Sequence, residues 1–331
     1  MNTIKKESFF KKILFMPSRN TASVIPIVLI VGFITGLILD TSGLKNFILP
    51  VTVLMIYPTM IGFKLNEVFN LSHGKLLLTS EFINFIIIPL IAYILGKTFL
   101  MNNPQFFAGL IITSLLPTSN LTIAFTMLAK GNVPGAVKLT TIGLILGSLL
   151  TPVYLSALIG KYLPVDILGT LVTISQVILI PLILGILSYK FLLKKYSAEE
   201  FQKNIKPYLP AVSSWGMVFI VFSSISMNAS RIASHLDVFA VALLVQVSFF
   251  FINYIISAFV GGVLFKPQDA IAFVFGTALR NLAIAMGLAA TAFGPNAALM
   301  VSLAFIIQPQ AAAWFVKLNE KYKFFYKNAT V

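Results

Sequence analysis

The sequence predicts an all-α membrane protein with ten transmembrane helices, arranged as two inverted five-helix repeats with discontinuous fourth and ninth helices. Three observations predict this fold class: too few charges for a surface in water, apolar runs of membrane-spanning length, and two interrupted runs at matching positions. The 331 residues are 58% hydrophobic and 10% charged, whereas a soluble domain carries about 25% charged residues. The mean hydropathy of +0.94 agrees with a chain that folds in lipid.

Ten apolar runs are long enough to cross a bilayer, whose hydrocarbon core of about 30 Å needs roughly 20 helical residues. The predicted spans are 22–40, 46–64, 76–98, 105–129, 133–160, 164–189, 208–229, 236–264, 268–293 and 297–317. They divide the chain into a basic tail (1–21), a first repeat (22–160), a second repeat (161–189 and 208–317) joined across the linker 190–207, and a second tail (318–331). The N-terminal stretch lacks a cleavage site after an apolar segment, so we expect a retained cytosolic tail and no signal peptide.

The distribution of Lys and Arg predicts the orientation. With both termini in the cytosol, the inner segments hold 18 of these residues and the outer loops hold 4. Cytosolic loops of membrane proteins carry such an excess of positive charge. We therefore expect a multi-pass protein of the cell membrane with cytoplasmic N- and C-termini.

The two interruptions indicate the internal symmetry. Residues 116–120 (LPTSN) break the fourth span, and residues 276–281 (GTALRN) break the ninth. Each is the fourth span of its five-span half, and halves with an odd number of spans insert with opposite orientation. Paired interrupted spans at matching positions point to a midplane binding site in transporters built from inverted repeats.

Arg280 is the most informative residue, because a guanidinium at mid-span costs at least about 2.5–3.5 kcal/mol on insertion scales. It should face a cavity and have a partner, either as an anion ligand or as a fixed charge that replaces a bound cation. Asn281 adds a donor and an acceptor beside it. Thr118 and Gln308 complete the predicted substrate-binding set.

The first interruption offers oxygen ligands of the kind that a hard cation prefers. Ser119 and Asn120 follow Pro117, which removes one helical N–H and frees backbone carbonyls. A proline kink whose hydroxyls bond back to the helix is the alternative interpretation. Asn84, Thr140 and Glu81 are further candidate ligands of a coupling ion. For the Glu81 carboxylate, the other interpretations are that it reaches the membrane interface, that it pairs with Lys138 or Arg280, or that it carries a proton.

Several function classes are excluded by the composition and the motifs. The net charge is +14, but the basic residues lie in the segments between apolar spans, where they determine membrane topology. They do not form the accessible basic face of a nucleic-acid-binding protein. The chain has no cysteine, no phosphate-binding loop and no His spacing typical of a metal site. We expect no enzyme and no cofactor other than a sodium ion as the coupling ion; the oligomeric state is open.

Three stretches resemble the bile acid:sodium symporter superfamily, which includes an arsenite-efflux permease branch. They are MIYPTMIGFKLNEV (55–68), PTSNLTIAFTMLAKGN (117–132) and ALRNLAIAMGLA (278–289). The resemblance implies a core domain of helices three to five and eight to ten, a panel domain of the others, and substrate and ion sites where helices four and nine cross. It implies that Ser119, Asn120 and Thr140 contribute to a sodium site, with Asn84 where the symporters place a glutamine.

Two departures from the family pattern affect the coupling ion and the substrate. Gly276 and Arg280 occupy positions where the symporter branch has Glu and Gln. The charge of Arg280 would repel sodium, so the presence of one or both sodium sites stays open. Thr118 replaces the cysteine of the permease branch, and a chain without cysteine cannot bind arsenite through a thiolate. We therefore expect a secondary transporter of a small organic anion, working by alternating access and coupled to sodium or protons. Arsenite or metalloid efflux is the second hypothesis, and a receptor on a transporter fold is the third.

Overall fold

The computed structural model describes residues 9–62, 73–163, 167–234 and 236–325. Within these ranges every regular element is helical, and the isolated β-bridge pairs Pro117 with Arg280. The helices are α1 (Phe9–Arg19), α2 (Thr21–Ile38), α3 (Ser42–Met60), α4 (Gly74–Phe99), α5 (Pro104–Leu115), α6 (Asn120–Leu128), α7 (Val133–Ile159), α8 (167–195), α9 (198–205), α10 (Tyr208–Ser226), α11 (Ala229–Ser234), α12 (Leu236–Leu264), α13 (Pro267–Ala278), α14 (Leu282–Phe293) and α15 (Pro295–Tyr322).

Seven of the described helices are long and apolar enough to cross a membrane: α3, α4, α7, α8, α10, α12 and α15. An eighth is added if α1 and α2, which meet at 96°, are counted as one bent span. Each of the seven overlaps a predicted span, so the all-α membrane class is confirmed. The predicted fourth and ninth spans are each two short helices, and the count of ten with inverted repeats stays a prediction.

The outer faces of these helices are apolar. Leu78 on α4 is 76% exposed and Phe259 on α12 is 70% exposed. Large apolar side chains left outside the protein core need a hydrocarbon solvent, because water would penalise each of them. Helices suit that solvent because they satisfy their backbone hydrogen bonds internally.

The segments outside the predicted spans also contain helices. The predicted N-terminal tail includes α1, and α8 continues to Lys195, beyond the predicted end at residue 189. In the linker, Ser197 caps α9: its N–H donates to the Glu200 carboxylate (2.8 Å), and its hydroxyl accepts from the Glu200 N–H (3.1 Å). The hydrogen bond from the Ser197 backbone holds the pKa of Glu200 below its usual value.

One group of helices packs around α10, which contacts α2 and α3 along much of its length. The Ser213 hydroxyl donates to the Met55 carbonyl at 2.7 Å, which ties α10 to α3. Gly36 on α2 lies directly against the main chain of Ser226, so a side chain there would overlap α10. Small residues permit this close helix approach in a membrane. A second group comprises α4 to α7 and α12 to α15, linked by contacts such as α5 with α15 and α12 with α13.

Candidate functional site

Two broken helices form the centre of the second group. The first break lies between α5 and α6, where Leu116 has non-helical torsion angles, Pro117 lacks an N–H, and Thr118 adopts a left-handed φ of 62°. The second lies between α13 and α14, with Leu279 in an extended conformation. Both interruptions predicted from the sequence are therefore present as non-helical backbone.

The two breaks bond to each other through their main chains. The Thr118 N–H donates to the Leu279 carbonyl (2.9 Å), and the Asn281 N–H donates to the Leu116 carbonyl (2.8 Å). Backbone groups freed from a helix inside a membrane must find partners in protein or in a water-filled cavity. Each break here supplies partners for the other, which explains why both can persist.

The remaining backbone groups of the second break are satisfied by a side-chain amide of α15. The Gln308 Oε1 accepts from the Arg280 N–H at 2.7 Å, and the Gln308 Nε2 donates to the Arg280 carbonyl at 3.1 Å. Both residues are buried. Gln308 therefore holds the main chain of Arg280 in place.

The Arg280 side chain is fully buried, and its two terminal nitrogens donate to neutral oxygens, whereas Nε has no partner among the described residues. Its Nη1 donates to the Ser114 carbonyl (3.2 Å), and its Nη2 donates to the Asn84 Oδ1 (3.0 Å) and to the Thr277 carbonyl. Ser114 and Thr277 lie in the last turns of α5 and α13, where the helix dipole favours a positive charge. Both carbonyls would otherwise be left without partners at the ends of broken helices.

The starts of α6 and α14 are capped by predicted site residues. The Ser119 Oγ accepts from the Leu121 N–H at 3.2 Å, and the Asn281 Oδ1 accepts from the Ile284 N–H at 3.3 Å. These side chains therefore act as helix N-caps in this structure. The side chain of Asn120 lies outside the described part of the structure.

The other predicted oxygen ligands occupy different environments. The Thr118 hydroxyl donates to the Pro117 carbonyl (2.7 Å), and the Thr140 hydroxyl donates to the Ala136 carbonyl (2.8 Å). Both carboxylate oxygens of Glu81 are buried and make no hydrogen bond within the described residues. Glu81 therefore makes no hydrogen bond to Arg280.

A cavity of about 490 Å³ lies between the two helix groups. Five predicted site residues line it: Ser119, Thr140, Arg280, Asn281 and Gln308. Thr118, Asn84 and Glu81 are not part of its lining. Arg19 and Arg280 are the charged residues of the lining. Much of the remaining wall is apolar, including Phe125, Met217 and Phe305.

Sequence reasoning missed two parts of this region. The end of α1 reaches the cavity through Ser18, Arg19 and Asn20, and only the amphipathic pattern of residues 9–19 signalled a helix there. On α12, Gln246 and Asn253 are fully buried, and their amides have no partner among the described residues. Their spacing of seven residues, two helical turns, was the available signal.

No group of three or more His, Asp or Glu side chains suited to a metal ion occurs within the described ranges.

The model of the Sodium Bile acid symporter family matches residues 49–235, more than half of the chain. A probable sodium/metabolite cotransporter of rice chloroplasts, BASS1, is 30% identical over 210 residues, covering 61% of this chain and 50% of the rice protein. Its counterpart from Arabidopsis thaliana is 26% identical over 267 residues, covering 78% of this chain and 64% of the relative.

A bacterial relative gives a similar result. The uncharacterized sodium-dependent transporter YocS of Bacillus subtilis is 30% identical over 217 residues, which cover 64% of this chain and 63% of that protein. The matched part thus spans between half and two thirds of the length of these three relatives.

Proposed function

This chain belongs to the Sodium Bile acid symporter family, a family of membrane transporters and not of enzymes, and from that premise we propose that it is a secondary transporter of a small organic anion. The observation that carries the proposal is the charge of the cavity. Its lining includes Arg280 and Arg19 and no Asp or Glu. A cavity with one sign of charge and low-dielectric walls raises the local concentration of the opposite ion.

The ends of the broken helices favour the same substrate class. Asn281 and Leu282 of the second break, and Ser119 of the first, line the cavity at the starts of α14 and α6. Helix N-termini carry partial positive charge and stabilise anions. Discontinuous helices of transporters direct such ends at anionic substrate groups.

The apolar part of the wall favours an organic molecule over a bare oxyanion. Phe125, Leu144, Met217 and Phe305 offer contact surface for a hydrocarbon body. Asn281 is partly exposed and offers a polar contact, while Arg280 contributes its charge from a buried position in the wall. Thr118, behind this lining, positions the first break. A metalloid ion would use little of this apolar surface.

Glu81 is the group proposed to carry the coupling ion. The names of the three relatives refer to sodium, and a cation in a low-dielectric core needs a compensating negative charge. Glu81 supplies that charge, and both of its oxygens lack hydrogen-bond partners within the described residues. Asn84, Thr140, Ser119 and Asn120 contribute neutral oxygens, with a proton on Glu81 as the alternative to sodium.

The position of the cavity supports alternating access as the transport mechanism. One side is formed by α1, α2, α3 and α10, and the other by α6, α7, α14, α15 and the second break. Motion of the first group, the proposed panel, against the second, the proposed core, would expose the cavity to each side in turn. We propose ten spans in two inverted repeats, in the cell membrane with cytoplasmic termini, as the positive charge distribution indicates.

The test compares carboxylates with their neutral amides in purified protein. Pyruvate, succinate and taurocholate, each beside its amide analogue, are scored by thermal stabilisation in detergent and then by uptake into liposomes under a sodium or proton gradient. A lost charge pair costs at least about 2 kcal/mol, so the amide should bind about 30-fold more weakly. Arg280→Met should remove this preference, and Arg280→Lys should retain part of it. Equal binding of acids and amides would contradict the proposal.

A further inference from the structure

The N-terminal helix α1 is oriented across the direction of the helix that follows it. The axes of α1 and α2 meet at 96°, and α2 overlaps the first predicted span. If α2 crosses the bilayer, α1 lies along its surface. Amphipathic helices at a membrane interface adopt this orientation, with charged and apolar side chains on different faces.

One face of α1 is fixed to the protein. The Trp215 indole N–H of α10 donates to the Leu14 carbonyl at 3.2 Å, and the Phe15 ring lies 5.1 Å from the Tyr208 ring. The Arg19 guanidinium lies over the Phe15 ring at 4.8 Å. These contacts hold the helix against α10 without covering its outer face.

The outer face combines positive charge with apolar surface. Lys12 is exposed, and Ile13 and Met16 are 42% and 44% exposed. Lys11 is exposed as well and lies at the edge of this face, with its Nζ 5.8 Å from the centroid of the Tyr208 ring. The helix contains no Asp or Glu. Lysine side chains can keep their charge at the headgroup level while their stems lie along apolar surface, and Ile13 and Met16 can enter the acyl boundary beneath.

We propose that α1 binds the anionic phospholipids of the bilayer surface and thereby holds the end of the helix at the rim of the cavity. Ser18, Arg19 and Asn20 belong to the cavity lining, so the position of α1 fixes the position of the second arginine of the cavity. This inference goes beyond the proposed transport function and does not depend on the substrate.

Trp215 provides the reporter for the test. The chain has two tryptophans, and Trp314 is 67% exposed on α15. Trp314→Phe therefore leaves Trp215, beside α1, as the single tryptophan. The full-length protein is reconstituted in equal parts of phosphatidylcholine and phosphatidylglycerol, with brominated acyl chains on only one of the two lipids. The ratio of quenching by the two brominated lipids measures which headgroup α1 selects.

We expect the brominated anionic lipid to quench Trp215 more strongly, by up to about fivefold per lysine near the surface. Lys11→Gln with Lys12→Gln should bring the ratio to one, and added salt should do the same. The matched control, Lys194→Gln with Lys195→Gln in the last turn of α8, removes the same charge elsewhere and should keep the selectivity.

Other occupants of this face give different results. Equal quenching by both lipids in the unaltered helix would mean contact with neutral lipid only and would overturn the proposal. Quenching by neither lipid would mean that protein covers the face, which would overturn it as well. Both readouts are independent of anion transport, so failure here leaves the proposed function intact.

Discussion

Removing the Gln308 amide should destabilise the protein, because it satisfies two backbone groups in the second helix break. Its Oε1 accepts from the Arg280 N–H and its Nε2 donates to the Arg280 carbonyl. Gln308→Leu keeps the approximate volume of the side chain, so no large cavity is formed. The effect of the substitution is then the loss of both hydrogen bonds.

The magnitude follows from the burial of the two groups. Arg280 is fully buried and Gln308 is 1% exposed, so water does not replace the lost partner. A buried donor or acceptor without a partner costs about 1–3 kcal/mol. The Arg280 carbonyl keeps the Leu282 N–H as a donor at 3.0 Å, so only the Arg280 N–H loses its partner. The expected loss in the free energy of unfolding is therefore about 1–3 kcal/mol.

Gln246→Leu is the matched control. Gln246 is also a fully buried glutamine of an apolar helix, but its amide has no partner among the described residues. The same substitution there leaves no protein group without its partner, so stability should be unchanged or increased. Unfolding of both variants is followed by tryptophan fluorescence during SDS titration of detergent-solubilised protein. Equal stability of Gln308→Leu and Gln246→Leu would refute the assigned role of Gln308.

Two further predictions concern the coupling ion and helix packing. Glu81→Gln should abolish the stimulation of anion uptake by sodium or by a proton gradient, while anion binding is retained. The control Glu200→Gln, at an exposed helix cap, should leave this stimulation intact in the same liposome uptake assay. Full stimulation in Glu81→Gln would show that Glu81 is not part of the coupling site. Gly36→Ala should lower the free energy of unfolding by about 1–3 kcal/mol, because its side chain overlaps the main chain of Ser226, while Gly43→Ala, which meets open space, should have no effect in the same SDS titration.

The sequence was sufficient to predict the membrane class and the interrupted helices. The clearest local signals were Pro117, which cannot donate a helical hydrogen bond, and Arg280, which is expensive in lipid unless it has partners. Both effects act over a few residues and are independent of the rest of the fold.

The partners of these residues could not be predicted, because they come from distant parts of the chain. Arg280 was expected to have a partner, but its neutral acceptors on α4, α5 and α13 depend on how those helices pack. The cation-binding role of Ser119 stays a prediction, but its use as the cap of α6 was not predicted. A short hydroxyl competes effectively for nearby backbone N–H groups. The contribution of Arg19 to the cavity depends on the bend between α1 and α2.

The hydrogen bonds that join the two helix breaks do not depend on the side chains of these segments. Thr118 and Leu279, and likewise Asn281 and Leu116, are joined through backbone atoms, which nearly every amino acid possesses. Side chains in both segments could therefore diverge during evolution and change the substrate preference of the cavity, while the backbone hydrogen bonds between the two breaks are retained. Because each segment depends on the other, an insertion or deletion in either one should disturb both half-helix pairs at once. Substrate preference in such a protein is free to change by substitution, whereas the length of the two segments is not.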